Sequence, residues 1–383
     1  MGNKTIREGK VALMVPEFDK ITAKASVFYN PAMELNRDIS VVALTVYRKG
    51  IDHDITVCDA FGGTGIRGIR YAKEIEGIEN AIVNDLNPLA VELAIENIDL
   101  NQLENVIVCK EDANMILRKC KGKFDVIDID PFGTPSPYLD SAAASLRAGG
   151  MICVTATDTS ALCGTYSEPC IRKYSSVPLK TEYCHENGLR ILAGFVARTF
   201  SKYKKFIEVK FSHSTEHYMR IYATIGKGAA NTDESLRSMG YVAHCKSCLY
   251  RIVINGLAPS IPESCPVCGG KLNIGGPLWC GDMYSKDFVT SMIETVEYLL
   301  LNTENKALKL LNICLEESDA PQTHYEIHKV CKNLKTSAPP ILDVMDKLRE
   351  NGFFVSRTHF SPTSLKTDAD IVELKSIIKF LKV

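Results

Sequence analysis

Hydrophobic and polar positions in residues 55–225 fall into short β-branched runs separated by longer stretches of helical period. Residues 55–59, 81–85, 105–109, 124–130 and 151–155 read as strands. Residues 66–76, 86–101, 113–119 and 137–146 fill the gaps as helices, with Pro88 where a first helical turn starts. Such alternation predicts a mostly parallel sheet covered on both faces. Residues 205–212 and 218–225 follow one another with no helix between them and read as an antiparallel pair closing the sheet. Ahead of the sheet, residues 31–47 carry a helical stripe of Met33, Leu35, Val41, Val42 and Leu44.

A Gly/Ala/Asn-rich break at 227–233 marks a domain boundary, so residues 1–226 are expected to form one unit and 227–383 a smaller α+β one. Within the second unit, 241–282 is dominated by cysteine pairs, glycine and proline, and 285–383 is largely helical. Its last part reads helix, Pro339-Pro340, helix, then Gly352-Phe353-Phe354-Val355, an order like that of a winged helix and of other small α+β units.

Composition changes this picture little. The chain of 383 residues has 45 basic and 46 acidic side chains and a net charge of −1, with 45% hydrophobic residues. Disorder and collagen are excluded on usage, and no apolar run is long enough to cross a bilayer. The N-terminus has no apolar signal core, so a reducing cytoplasm is expected, where paired cysteines mean metal more often than disulfides. Charge is unevenly spread: residues 170–225 hold ten basic and four acidic side chains. Arg172, Lys173, Lys180, Arg190, Arg198, Lys202, Lys204 and Lys205 are candidates to meet phosphates, with Arg357 and Lys366 further on. A solvated helix face explains the same excess equally well.

After the first strand stands Asp59-Ala60-Phe61-Gly62-Gly63-Thr64-Gly65-Ile66-Arg67-Gly68. Gly63, Gly65 and Gly68 make a G-x-G-x-x-G between strand and helix, which permits close backbone approach to a ligand. Asp85, twenty residues beyond Gly65, is placed for a ribose diol. The turn suits either a nicotinamide dinucleotide or S-adenosylmethionine. Asp59 favours the second, because a carboxylate repels pyrophosphate and attracts the cofactor's ammonium. Asp112-Ala113, after the third strand, is where a methyltransferase sheet contacts adenine; Asp112 is equally an N-cap.

The sharpest signal follows the fourth strand: Asp130-Pro131-Phe132-Gly133-Thr134-Pro135. An acid-Pro-aromatic turn at a strand end resembles the Asp/Asn-Pro-Pro-Tyr/Phe motif of enzymes that methylate amino groups on planar systems. Such an amine is a poor nucleophile, its lone pair being delocalised into the ring. Acceptance of its N–H bonds by the Asp130 carboxylate and the Pro131 carbonyl aims that lone pair. Phe132 is expected to stack on the base.

Asp130-Pro131-Phe132-Gly133-Thr134-Pro135-Ser136-Pro137-Tyr138-Leu139-Asp140, with Val27-Phe28-Tyr29-Asn30-Pro31, Asn36-Arg37-Asp38, the glycine turn, Asp85 and Asp112-Ala113, resembles the tRNA guanine-26 N2-dimethyltransferase family over nearly the whole chain. The resemblance implies a Rossmann-like class I methyltransferase fold, S-adenosylmethionine as methyl donor and tRNA as partner. It implies cofactor contacts from Arg37, Arg67, Asp85, Asp112 and Ala113, beside Asp59, Gly63 and Gly65 of the turn, and a catalytic role for Asp130. Phe28 is expected to form the second wall of a base sandwich with Phe132. An adenine N6-methyltransferase shares the same amine-orienting chemistry, and a nicotinamide-dependent dehydrogenase or an inactive RNA-binding module are the other classes weighed. No membrane association and no obligate protein partner are expected.

Cys245-x2-Cys248 and Cys265-x2-Cys268, sixteen residues apart, match a two-knuckle zinc pattern. Four thiolates with no open position suit a structural ion. Cys58, Cys109, Cys120 and Cys153 read as core residues.

Overall fold

The computed structural model describes residues 3–17 and 27–382. Its centre is a seven-stranded sheet in the order Val106–Cys109, Ile78–Asn84, Ile55–Asp59, Val126–Ile129, Met151–Ala156, Tyr218–Lys227, Lys205–Thr215. The first five strands are mutually parallel. Tyr218–Lys227 runs antiparallel to both of its neighbours, so it alone is reversed within the sheet. Chain order turns back at Ile55–Asp59: the next two strands lie on one side of it and Val126–Ile129 on the other. In open α/β sheets the crevice at such a switch point is the ligand site. Here it sets the ends of Ile55–Asp59 and Val126–Ile129 side by side, with Asp59 in register with Asp128.

Side chains alternate across the pleat and find two different covers. Cys58, Ile127, Ile129, Ile152 and Val154 pack with Ala113, Leu117, Leu139, Ala142, Leu189 and Leu192 of the helices Ala113–Lys119, Leu139–Ser145 and Cys184–Ser201. Val57, Val126, Met151 and Cys153 face the helix Glu34–Lys49 through Ile39, Val42 and Leu44. The helices Lys286–Val296 and Glu304–Glu316 join this second cluster through Val289, Met292, Ala307 and Leu311, although they lie beyond residue 227 in the chain.

Several elements differ from the sequence reading. The stretch expected as a helix from 31 opens as a 3-10 turn, Pro31–Met33, before Glu34–Lys49. The helix read from 86 begins at Pro88, because Asn87 accepts the Leu89 N–H at 3.0 Å and proline occupies the first helical position. The break read at 227–233 is instead the start of the helix Ala229–Arg237, which follows Gly228 (φ +145°) at the end of the preceding strand. The helices Ser167–Tyr174 and Cys184–Ser201 lie outside the elements expected from the sequence; the second is buried on most sides.

A hairpin of Asn3–Glu8 and Val11–Pro16 lies against the helix Pro88–Asn101. Asn97 and Asn101, one helical turn apart, grip its edge: each side-chain amide both accepts from and donates to the backbone, of Met14 and Ala12 respectively. The cysteine pairs sit on a three-stranded sheet, Arg251–Asn255, Met239–Cys245 and Leu272–Trp279. This sheet buries Met239, Val242, Leu278 and Trp279 in the same cluster as Cys184–Ser201. The C-terminal unit runs strand, two helices, two strands and a helix (Tyr325–Glu326, Ile327–Leu334, Ile341–Glu350, Val355–Arg357, Ser364–Thr367, Ile371–Phe380), with its own core. Among the described residues no helix is long and apolar enough to cross a membrane.

Candidate active site

The glycine turn is built by packing as much as by backbone freedom. Gly63 and Gly65 take φ of +54° and +80°, a region that side chains disfavour. A Cβ at Gly62 or Gly68 would fall 2.4 or 2.3 Å from the Val83 methyls, so the helix Ile66–Glu74 lies against its neighbouring strand only without one. A Cβ at Gly63 would sit 3.3 Å from the Phe28 carbonyl, which places the 27–30 segment directly over the turn. Asp85 accepts the Gly63 N–H at 2.8 Å and the Asn87 N–H at 2.9 Å, tying the ends of two strands together. Asp112 caps the helix Ala113–Lys119, accepting from Asn114 and Met115 through Oδ1. All of these groups lie at the C-terminal edge of the parallel strands.

Asp59 lies beneath the turn, 1% exposed, accepting at long distance from Phe61 N (3.4 Å) and Gly68 N (3.3 Å). Burial, then the nearby Asp128 charge, pushes its carboxyl up to about 7. Its carboxylate thus faces the backbone N–H groups of the turn from below.

The Asp130 turn stands beside it. Arg67, on the first turn of the helix after the glycines, donates from Nε to Asp130 Oδ2 at 2.8 Å, and its Nη2 also contacts that oxygen. Nη2 further donates to Asn36 Oδ1 at 2.6 Å and Nη1 to Ser40 Oγ at 3.0 Å. Both contacts to Asp130 fall on Oδ2, which leaves Oδ1 for another donor. Gly133, at φ +80°, completes the turn; its N–H donates to Thr157 Oγ1 at 2.8 Å, and Thr157 N–H donates back to the Gly133 carbonyl at 2.9 Å. Phe132 is 59% exposed.

Below both turns is a buried ion network that the sequence reading missed. Asp128, fully buried, receives both terminal nitrogens of Arg220 at 2.7 Å and the Tyr71 hydroxyl at 2.6 Å, with Arg67 at 4.0 Å. Burial raises this carboxyl, but Arg220 and then Arg67 outweigh it and hold it below the usual range. In the sequence Asp128 lies within the strand 124–130 and Arg220 within the run 218–225, and nothing local pairs them. The available signal was a charged residue at an inward position of an otherwise apolar strand.

Phe28 and Arg37, like Arg67, make contacts within the protein. Phe28 and Phe132 do meet, but edge-to-face, with centroids 4.4 Å apart and planes at 83°. A base held between two walls needs parallel rings separated by two van der Waals contacts, about 7 Å, so in this state the rings touch each other. Arg37 is engaged by Glu8, at 2.7 and 2.5 Å, and by the Asn30 carbonyl at 3.2 Å. With the Tyr29 hydroxyl also on Glu8 at 2.7 Å, it fixes the segment that crosses the glycine turn.

Part of the basic excess of residues 170–225 is consumed inside, and so is Lys366. Arg190 is buried against Glu186 and the Trp279 and Gly281 carbonyls, Lys205 holds the Ala143 and Leu146 carbonyls, and Arg198 holds that of Tyr174. Lys366 is buried on Glu186. Arg172, Lys180, Lys202 and Lys204 remain exposed.

The four knuckle cysteines converge: their sulfurs lie within 4.8 Å of one another, with Cys245–Cys268 and Cys248–Cys265 both at 3.5 Å. Leu249 N–H bonds the Cys245 carbonyl and Gly269 N–H the Cys265 carbonyl, giving matched turns at φ +67° and +71°. Metal–sulfur bonds of about 2.3 Å fit inside that arrangement. Cys58 and Cys153 are buried in the core.

Fold order, glycine turn and acid-Pro-Phe turn together define a class I S-adenosylmethionine-dependent methyltransferase of the kind that acts on amino groups. Comparison with known proteins narrows this. A profile of the N2,N2-dimethylguanosine tRNA methyltransferase family matches residues 9–379, and the chain belongs to that family. It is 54% identical over 382 residues to a tRNA (guanine(26)-N(2))-dimethyltransferase of Methanosphaera stadtmanae, covering all of this chain and 98% of the relative. The enzyme of the same name from Methanothermobacter thermautotrophicus is 53% identical, with 98% of each chain covered. The structure of Trm1 from Pyrococcus horikoshii with S-adenosyl-L-methionine superposes with a TM-score of 0.89 at 34% identity, covering 98% of this chain and 99% of that one.

Proposed function

We propose that this protein transfers one or two methyl groups from S-adenosylmethionine to N2 of guanine 26 in tRNA. The observation that carries the reading is the Arg67 bridge. A residue of the cofactor turn's own helix grips Asp130, so cofactor site and amine site form one rigid unit.

In this reading Asp85 binds the ribose, and Asp112 with the Ala113 N–H binds the adenine. The Gly63–Gly65 turn carries the amino-acid part, with Asp59 beneath it and Arg37 positioning the segment above. Bound S-adenosylmethionine supplies the electrophilic methyl group. Asp130 Oδ1 and the Pro131 carbonyl accept the N–H bonds of guanine N2, localising its lone pair and fixing its direction. Proline at 131 offers no competing donor. Arg67 keeps the Asp130 carboxylate from rotating, and after transfer the proton shed by N2 passes to Asp130 Oδ1. Phe132 stacks on the base, and Phe28 must swing away from it to admit the base. Guanine 26 has to leave its stack to reach this site, at a cost of a few kcal/mol. Exposed Arg172, Lys180, Lys202 and Lys204 are the candidates for phosphate contact. The four-cysteine cluster holds a structural zinc ion, and the enzyme acts in the cytoplasm.

The test is nucleoside mass spectrometry of an unmodified tRNA transcript incubated with enzyme and cofactor, beside Asp130→Ala. N2-methyl- and N2,N2-dimethylguanosine at position 26, absent with the variant, is the expected result. Cofactor binding without any methylguanosine would remove guanine 26 as the substrate.

A further inference from the structure

We infer that Cys163, Cys184 and His185 form a second metal site, distinct from the knuckle, taking zinc or a comparable soft divalent cation. The three come from separate places in the fold. Cys163 ends the short helix Thr159–Leu162, whereas Cys184 and His185 open the helix Cys184–Ser201. Their ligand atoms nevertheless lie within 4.8 Å of one another.

The one close pair of ligand atoms is spaced as two ligands of a single ion would be, at a length a sulfur hydrogen bond also takes. Zinc bonds of about 2.3 Å to sulfur and 2.0–2.1 Å to nitrogen, at a tetrahedral angle, separate the two ligands by about 3.5 Å. Cys163 Sγ and His185 Nδ1 are 3.6 Å apart. The other neighbour of that nitrogen is the Ser214 hydroxyl at 3.5 Å, too long for a good hydrogen bond. Two pairs of knuckle sulfurs are spaced at 3.5 Å. Three protein ligands leave a fourth position, beside Ser214, for its hydroxyl or a water. Cys163 is buried and Cys184 half-buried, which leaves a route for the ion.

The site would brace the catalytic turn. The loop between Ala156 and Cys163 starts at Thr157, paired in both directions with Gly133 of the Asp130 turn. Asp158 is then held by Tyr174 at 2.7 Å and Lys173 at 2.9 Å, and the helix delivers Cys163 to the cluster. An ion there fastens this loop to the helix Cys184–Ser201 and closes the twenty-residue excursion between Cys163 and Cys184.

Full-length protein reconstituted with zinc under reducing conditions and analysed by plasma mass spectrometry tests this. Two ions per chain are expected for the wild type, one for Cys184→Ser, one for His185→Gln and one for Cys265→Ser. Cobalt in Cys265→Ser is expected to give a thiolate charge-transfer band that Cys184→Ser removes. His185→Gln keeps the test decisive if Cys184→Ser fails to fold. One ion per chain in the wild type, unchanged by His185→Gln, overturns the proposal. So does a Cys163–Cys184 disulfide found by non-reducing peptide mapping of the reconstituted protein. Metal content is read without reference to tRNA, so this failure is separable from failure of the proposed activity.

Discussion

Replacing Arg220 by methionine strands the Asp128 carboxylate. Both side chains are fully buried, and Arg220 supplies two of the bonds that make the charge tolerable, each at 2.7 Å. What remains on Asp128 is the Tyr71 hydroxyl and Arg67 at 4.0 Å. Breaking a buried pair from one side costs about 3–5 kcal/mol, far more than the pair is worth against an apolar substitute. Arg67 then becomes the nearest countercharge to Asp128, and movement toward it loosens its 2.8 Å bond to Asp130. Two readouts follow. Chemical denaturation of Arg220→Met should show the full loss of stability. In the folded enzyme kcat should fall more than the KM for tRNA rises, because the amine is misaligned rather than unbound. The decisive measurement is the double variant Arg220→Met/Asp128→Asn, which removes the stranded charge. It should recover much of the lost stability. If the two substitutions add, or if Arg220→Met costs less than about 1 kcal/mol, the account of a countercharged network is wrong.

Asp59 gives a pH signature. Its folded pKa is raised from 3.8 to about 7, so the folded state holds a proton that the unfolded chain has released between those values. Its contribution is complete below the unfolded pKa and is lost as pH rises through the folded one, with a slope of about 1.4 kcal/mol per pH unit. Urea midpoints for wild type against Asp59→Asn between pH 5 and 7 should differ in slope accordingly; parallel curves would refute the shift. Phe28→Ala should leave folding and cofactor affinity intact while lowering kcat by about tenfold or more, the worth of a base–aromatic stack; unchanged turnover would remove Phe28 from the base site. Cys265→Ser should lose zinc and loosen the sheet of Met239–Cys245, Arg251–Asn255 and Leu272–Trp279. Native-state hydrogen exchange there should rise while the central sheet stays protected, and unaltered protection would argue against a structural ion.

Residues 55–156 were legible because local rules govern them. Strand–helix alternation follows from period, the glycine turn from its spacing, and Asp112 and Asn87 cap helices by short-range bonds. The Asp130-Pro131-Phe132 turn and the paired cysteines likewise carry their chemistry in contiguous residues. The boundary read at 227 was equally local, yet helices on its far side share a core with Glu34–Lys49. No pattern within 286–316 states that partner, because an amphipathic stripe says only that a face is buried and not against what.

What the sequence determined by itself was therefore the class of fold, the glycine turn, the acid-Pro-Phe turn and the paired cysteines that converge. The tertiary structure alone decided which charges work inside the protein and which meet solvent. Arg190, Lys205, Arg220 and Lys366 look in sequence like Arg172 or Lys202, yet the first four are buried on internal partners. It also decided that Arg67 holds Asp130, that Arg37 holds Glu8, and that Phe28 rests edge-on against Phe132. The reason is range. Caps, turns and periodicity are set within a few residues, whereas a buried ion pair joins side chains dozens of positions apart and exists only once the chain has excluded water from between them.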